Sequence, residues 1–356
     1  MENMFQGLQV LDLSTVLAGP SVGTFFAELG ATVVKVESPR GGDVTRTWRL
    51  KSEDVPGDVS AYFASVNYKK SYLKLDFTNE SDRSELNELI RKSDIVIVNF
   101  KEGDDLKFRL SPSDVQAINP RIIYASLKGF ASNPNRIAYD VVLQAECGFM
   151  FMNGDKNSGP LKMPVALIDV LSAHQMKEGI LCALIQRLKS GLGSIVRVTL
   201  EESALSALMN QASNYLMTGH VAQPEGSLHP NIAPYGETFT CSDQKQIVLA
   251  IGSNQQFDKL CECTSLQHLP LDEQFSTNQN RVLHRSELAA ILQSKLALES
   301  RDYWMKRFVE IGVPAGSIRS MEEIFKDDFA KSMVREEVIS ESQTKRVTSI
   351  AFRLES

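Results

Sequence analysis

Residues 8–37 read LQVLDLSTVLAGPSVGTFFAELGATVVKVE. The apolar run Leu8–Leu13 suits a strand buried on both faces. Pro20 stands where a helix starts well, because its missing N–H would have no helical partner there. Ser21–Gly30 then carries helical spacing, and Ala31–Glu37 reads as a second strand. Strand, helix and strand in so short a span make a βαβ unit. An open α/β sheet binds ligands at the C-terminal ends of its strands, so the loop after Leu13 is a candidate site.

Working outward, Tyr72–Phe77 is a short strand, Ser84–Lys92 a helix, and Asp94–Phe100 and Arg121–Leu127 two further strands. This alternation predicts an α/β protein built on a doubly wound, Rossmann-like, mostly parallel sheet. A long helix is expected from Asp169 to Ser190, stopped by Gly191-Leu-Gly193. Ile195–Leu200 reads as a strand and Glu201–Gly219 as a second helix. Residues 224–234, rich in Pro, Gly and Asn, break the pattern and mark a boundary. Beyond it come a β-rich patch (237–253) and helices around 254–263, 286–296 and 303–311. The expected division is a large Rossmann-like domain over 1–222, completed by 330–356, and a linker with a small α/β domain over 223–329.

Composition narrows the functions. The chain of 356 residues is 43% hydrophobic and 23% charged, which is ordinary for a soluble globular protein. Its net charge of −6 and the lack of a basic, aromatic-interleaved stripe argue against nucleic acid. No apolar run reaches the roughly 18–20 residues of a membrane span. Met1–Gly7 is too short and polar for a signal peptide, so the expected compartment is the cytoplasm. The five cysteines are irregularly spaced, and Cys147 and Cys182 sit among apolar residues as expected core packing. The histidines show no HExxH or other ligand spacing, so neither metal nor disulfide is expected.

Two features raise the question of chemistry. After Leu13 the loop holds Gly19 and Gly23 but no G-x-G-x-x-G. The dinucleotide reading, which Glu37 at a strand end would otherwise suit, therefore loses its phosphate turn. Pro164–Gln175 reads PVALIDVLSAHQ, in which an apolar run ends on a lone carboxylate, Asp169, before a helix. Asp169 is either a helix N-cap or a nucleophile, and the local residues favour the cap. A carboxylate needs no separate base to be nucleophilic at neutral pH, and no Ser/His or Cys/His arrangement competes with it. A helix start would also favour its ionised form.

Residues 7–46, GLQVLDLSTVLAGPSVGTFFAELGATVVKVESPRGGDVTR, resemble the opening of the family III CoA-transferases (the CaiB/BaiF family), which includes formyl-CoA transferase and α-methylacyl-CoA racemase. NYKKS (67–71), SDIVIVNFKEG (93–103), NPRIIYASLKGF (119–130), AYDVVLQAECGFM (138–150), ALID (166–169), LHPNIAPY (228–235) and the stretch 251–314 resemble the family's later blocks in order. The resemblance implies an interlocked homodimer without a tightly bound cofactor, whose substrates are acyl-CoA and small carboxylic acids. It implies that Asp169 attacks the thioester, giving aspartyl anhydride and aspartyl-CoA intermediates. It points to Val16, Leu17, Ala18, Arg40, Leu75, Thr78, Asn99, Phe100, Lys107 and Tyr139 for CoA. It points to Gly226, Ser227 and His229 for substrate. Backbone N–H groups at Leu17–Gly19 and near Gly226–Ser227 are candidate donors to the thioester oxygen.

Departures from the family pattern are informative. Thr78 replaces a common lysine, and the loop QPEGSLHP has a single glycine where transferases carry a glycine-rich one. Members usually continue beyond the FRLES at which this sequence stops. The racemase branch has a histidine at the position of Tyr139, and a phenol of pKa about 10 is a poor two-way proton carrier. Leu17 stands where the oxalate branch has glutamine. LHPNIAPY and GSNQQF look most like the dicarboxylate branch, such as succinyl-CoA:glutarate transfer. The expectation is therefore CoA transfer from a short dicarboxylyl-CoA, with 2-methylacyl-CoA racemisation and non-catalytic CoA binding as alternatives.

Overall fold

A computed structural model describes residues 3–53 and 57–355; Met1 and Ser356, the outer limits of the expected large domain, lie outside them. The chain divides into two compact units, residues 3–149 with 162–221 and 332–355, and residues 150–161 with 222–331. Residues 150–161, read from sequence as part of the large domain, thus group with the second unit.

The first unit is built on β1 (Gln9–Asp12), β2 (Thr32–Glu37), β3 (Lys70–Lys74), β4 (Ile95–Val98), β5 (Ile123–Lys128) and β6 (Ile195–Thr199). Every pairing is parallel, in the order β3-β2-β1-β4-β5-β6. The strand order reverses between β1 and β4, which opens a crevice at their C-terminal ends. The loops after Asp12 and Val98 therefore meet there.

The helices that matter are α1 (Ala18–Glu28), α2 (Glu80–Lys92), α3 (Pro112–Ile118), α4 (Asp140–Glu146), α5 (Leu167–Ser190), α6 (Leu200–Ser206) and α7 (Met209–Thr218). Alternation along the strands assigns them to two layers. Val10, Ile95, Ile97 and Ile123 pack with Val22 and Phe26 of α1 and Met176 and Ile180 of α5. Their neighbours Leu11, Val96, Val98 and Tyr124 pack on the other face with Leu86, Ile90 and Val115 of α2 and α3.

Several expected boundaries move for physical reasons. β3 begins at Lys70, two residues before the expected Tyr72, because Lys70 and Ser71 already pair in register with Val33 and Val34; the Lys70 ammonium is neutralised inside by Asp12 at 2.8 Å. The expected helix 201–219 is two helices, interrupted where Met209 takes φ +43°. Cys182 is exposed on the outer side of α5 rather than packed in the core; Cys147 is buried. Glu37, the acid that suited a ribose, is buried and held by Arg46 at 2.7 and 2.8 Å.

The second unit carries an antiparallel sheet, β7 (Tyr235–Thr240), β8 (Gln246–Ala250) and β9 (Ala315–Ser317). Its core joins Ile247 and Leu249 to Phe257, Leu292 and Phe308 from three helices.

Returning to the first unit, the hairpin Val334–Ile339/Ser342–Val347 leads into residues 348–350, which are pinned on α1. The buried Glu28 pairs with Arg346 and accepts from Thr348 Oγ1 (2.7 Å) and from the N–H and hydroxyl of Ser349 (each 3.0 Å). Glu28→Ala takes from the buried Arg346 its direct ion-pair partner and should lower the unfolding free energy by about 3 kcal/mol. Amide exchange of residues 346–350 should accelerate in the same variant. Unchanged exchange there would contradict this anchoring.

Candidate active site

The crevice begins with the turn after β1. Asn99 closes a reciprocal bridge, accepting from the Thr15 N–H at 3.0 Å and donating to the Thr15 carbonyl at 2.8 Å. Val16 follows with φ +74°. For a β-branched residue this left-handed backbone costs about 1–3 kcal/mol and persists only when its surroundings impose it. The next residues open α1. Its first turn has no side-chain cap, and the N–H groups of Leu17, Ala18 and Gly19 have no acceptor among the described residues. Gly19 is required by packing, since a Cβ there would collide with the Ser14 side chain. The result is a helix N-terminus with free donors, a natural anion site.

Buried charges hold this turn from below. Asp12 pairs with Lys70, and Lys35 with Asp43 at 3.1 Å, all four side chains being wholly buried. Burial alone would raise the Asp12 carboxyl, but Lys70 and Lys35 outweigh it and hold it below its usual range. Burial pulls the Lys70 ammonium down to about 8 against the attraction of Asp12.

Asp169 lies at the third position of α5, so it is not the N-cap, which is Ala166. The capping bonds come instead from Asp140, at the start of α4. One Asp140 oxygen accepts from the N–H of Ile168 (2.7 Å) and of Asp169 (3.3 Å), and the other accepts from Gln144 Nε2 (2.6 Å). Gln144 in turn accepts the Met163 N–H at 2.8 Å, tying the segment before α5 to the same cluster. The Asp169 carboxylate is left without a hydrogen bond among the described residues. It is only 9% exposed, and what is exposed faces a cavity of about 470 Å³. Burial, with Asp140 beside it, pushes its carboxyl up to about 7. This corrects the expectation that the helix start keeps it ionised: the dipole of the first turn is outweighed by desolvation and a second carboxylate. Tyr62 belongs to the same electrostatic neighbourhood, its phenol pushed up to about 12 by burial and by Asp169, Asp140 and Asp43.

Val16, Leu17, Ala18, Asn99, Phe100 and Tyr139 line this cavity together with Asp169. Arg40, Leu75, Thr78 and Lys107 lie outside its lining. Leu75 is buried in the core. Arg40 and Thr78 both engage Asp76, and Lys107 lies 5.3 Å from the Phe108 ring. Gly226, Ser227 and His229 belong to the second unit. There the Gly226 N–H is already given to Gly154 O at 2.7 Å, which removes it as an oxyanion donor, and Ser227 Oγ donates to Gly236 O. His229 accepts the Asn231 N–H on Nδ1, and its Nε2 has no hydrogen-bond partner among the described residues. It lines a separate cavity of about 510 Å³ with Lys156 and Arg285. Asp140, Gln144, Asp43 and Tyr62 are the residues that sequence reasoning passed over. Asp140 stood beside Tyr139 in AYDV, but nothing local signals its bond to a helix 29 residues further on.

A doubly wound α/β fold whose switch-point crevice holds a buried carboxylate and a free helix N-terminus has the layout of an enzyme. The chain belongs to CoA-transferase family III, whose family model matches residues 5–355. It is a transferase of CoA thioesters. Over 327 residues it is 37% identical to an acyl-CoA transferase of Fusarium pseudograminearum, covering 90% of this chain and 71% of that one. It is 33% identical to a succinate–glutarate CoA-transferase of Agrobacterium fabrum, covering 90% and 81%. The crystal structure of a CAIB/BAIF family protein from Brucella suis superposes with a TM-score of 0.88 at 35% identity, covering 99% of this chain and 93% of that chain.

The raised carboxyl of Asp169 has a stability signature. Its proton is held more tightly in the folded than in the unfolded chain, so stability falls as pH rises from about 4 to about 7 and the loss is complete above that. Asp169→Asn removes this loss. At pH 8 it should raise the unfolding free energy by up to about 4 kcal/mol, since each tenfold change in proton affinity is worth about 1.4 kcal/mol. Near pH 4 the gain should vanish. Denaturant titrations at both pH values test this, and no gain at pH 8 would contradict the burial argument.

Proposed function

We propose that the protein moves CoA from a short dicarboxylyl-CoA, such as succinyl-CoA, to a small carboxylic acid, with Asp169 as nucleophile. The observation that carries this reading is the unpartnered, desolvated Asp169 carboxylate in one cavity with the free N–H groups of Leu17 and Ala18. A carboxylate stripped of hydrogen-bond donors is a stronger nucleophile than a solvated one, and the helix N-terminus can receive the oxygen that becomes negative on attack.

The chemistry is a series of balanced displacements. An Asp169 oxygen bonds to the thioester carbon and the C–S bond breaks, giving an acyl-aspartyl anhydride and CoA thiolate. The thiolate then attacks the aspartyl carbonyl, releasing the donor acid and leaving an aspartyl-CoA thioester. The acceptor carboxylate attacks that thioester, re-forming an anhydride and freeing the thiolate. The thiolate takes the acceptor acyl group and returns Asp169 as carboxylate.

CoA would lie across Val16–Ala18 and Asn99–Phe100 with Tyr139 at the reacting end. The Phe100 ring packs with Phe77 and Phe108 at 6.4 and 5.9 Å; Lys107 beside the Phe108 ring and Arg40, which meets Asp76, would serve as phosphate partners. Leu75 would offer only its backbone and Thr78 its hydroxyl. Gly226, Ser227 and His229 would belong to acceptor recognition, with His229 Nε2 facing a carboxylate. Tyr139 in place of a histidine supports transfer over racemisation. The free thiols suit a reducing compartment such as the cytoplasm. Helix α7 buries none of its side chains and exposes Leu216 and Met217 at 79% and 84%. That face supports a homodimer.

Intact-mass analysis after mixing with succinyl-CoA, quenched in hydroxylamine, should give a hydroxamate at Asp169 in the wild type and none in Asp169→Ala. Glutarate or a related acid should then accept CoA without wash-in of solvent deuterium at the α-carbon. Absence of any adduct across a panel of acyl-CoAs would overturn the reading. Light scattering at micromolar concentration should return twice the chain mass, and a monomer would remove the dimer from the proposal.

A further inference from the structure

We propose that Asp43 is a positioning residue for the transfer: its buried carboxylate, held by Lys35, fixes Val16 in its left-handed backbone and so aims the Leu17 and Ala18 N–H groups into the cavity. The inference rests on the reading that those donors receive the acyl oxygen.

The geometry is specific. Asp43 is fully buried, and its two oxygens lie 3.3 and 3.2 Å from the Val16 nitrogen. One oxygen also accepts the Thr45 N–H (3.1 Å) and hydroxyl (2.8 Å), and the other meets the Lys35 ammonium at 3.1 Å. Lys35, itself fully buried, donates to the Ser14 carbonyl at 2.6 Å. Ser14 is therefore held through Lys35, Thr15 through Asn99 and Val16 through Asp43, one after another. A valine keeps φ +74° only where such contacts leave it no alternative. The peptide that follows Val16 carries the Leu17 N–H, so the direction of that donor is inherited from the Val16 backbone. A clamp serving stability alone would not need to sit at the one strained residue immediately before the free donors.

The charge pair is best replaced as a pair, because Asp43→Asn alone takes from the buried Lys35 its ion-pair partner. In Asp43→Asn/Lys35→Gln the asparagine oxygen can keep both Thr45 bonds and its 3.3 Å contact with the Val16 nitrogen, but an amide N–H₂ replaces the acceptor at 3.2 Å and the Lys35 ion pair is gone, which loosens the hold. This double variant should fold and bind CoA within about threefold of wild type. Its kcat and its rate of acyl-adduct formation at Asp169 should fall roughly tenfold to a hundredfold, with KM for succinyl-CoA unchanged, as expected for a misaimed oxyanion donor. Adding Val16→Gly should recover about tenfold of that loss, since glycine adopts positive φ without help. A purely structural role would move stability and leave kcat and the glycine rescue flat. A double variant that forms the adduct at the wild-type rate, or that does not fold, would overturn the positioning role. A wild-type enzyme that forms no Asp169 adduct would instead overturn the parent reading, whatever the variants do.

Discussion

One Asp140 carboxylate oxygen accepts the N–H groups of Ile168 and Asp169, and the site is organised around that contact. It satisfies donors at the start of α5 that the segment's own residues leave open, because Ala166 at the N-cap has no side-chain acceptor. It brings α4, which follows Tyr139, against the residue that faces the cavity. It also places a negative charge beside Asp169, which resists ionisation there until about pH 7. Position and reactivity of the carboxylate are thus set by the same group.

A second set of buried charges supports the opposite wall. Asp12, Lys70, Lys35 and Asp43 are paired and hydrogen-bonded so that none is left without a partner. Ion pairs of this kind add little net stability, since desolvation consumes most of the Coulomb gain. What they provide is direction: Ser14–Val16 follows one path, and α1 begins with its N–H groups uncommitted. The enzyme thereby holds a desolvated carboxylate and unpaired donors in one cavity. Each is costly to folding and useful to acyl transfer, and the large two-sided core of the sheet offsets that cost.

The βαβ opening was legible because its strands are buried on both faces and read as continuous apolar runs, while Pro20 marks the helix start. The family blocks extended that reading to Asp169 and to the cavity residues Val16–Ala18, Asn99, Phe100 and Tyr139. What escaped was tertiary. The ionisation of Asp169 was misjudged because the rule for helix starts is local, whereas burial and Asp140 act through the fold. Cys182 has apolar neighbours in sequence but points outward on α5. The break at Met209 rests on a left-handed backbone that no residue type there demands. Nothing local marks Asp43 and Lys35 as a pair until the fold brings them together.

Oxygen-18 in both carboxylate oxygens of the acceptor acid follows the central claim atom by atom. In a single turnover from unlabelled succinyl-CoA, the acceptor's attacking oxygen must become the bridge of the second anhydride and remain on Asp169 when CoA thiolate departs with the acyl group. The account predicts a gain of one oxygen-18 in the peptide containing Asp169. An unlabelled Asp169 peptide, with the isotope found in the released donor acid instead, would mean that donor and acceptor react directly and would contradict the role assigned to this carboxylate.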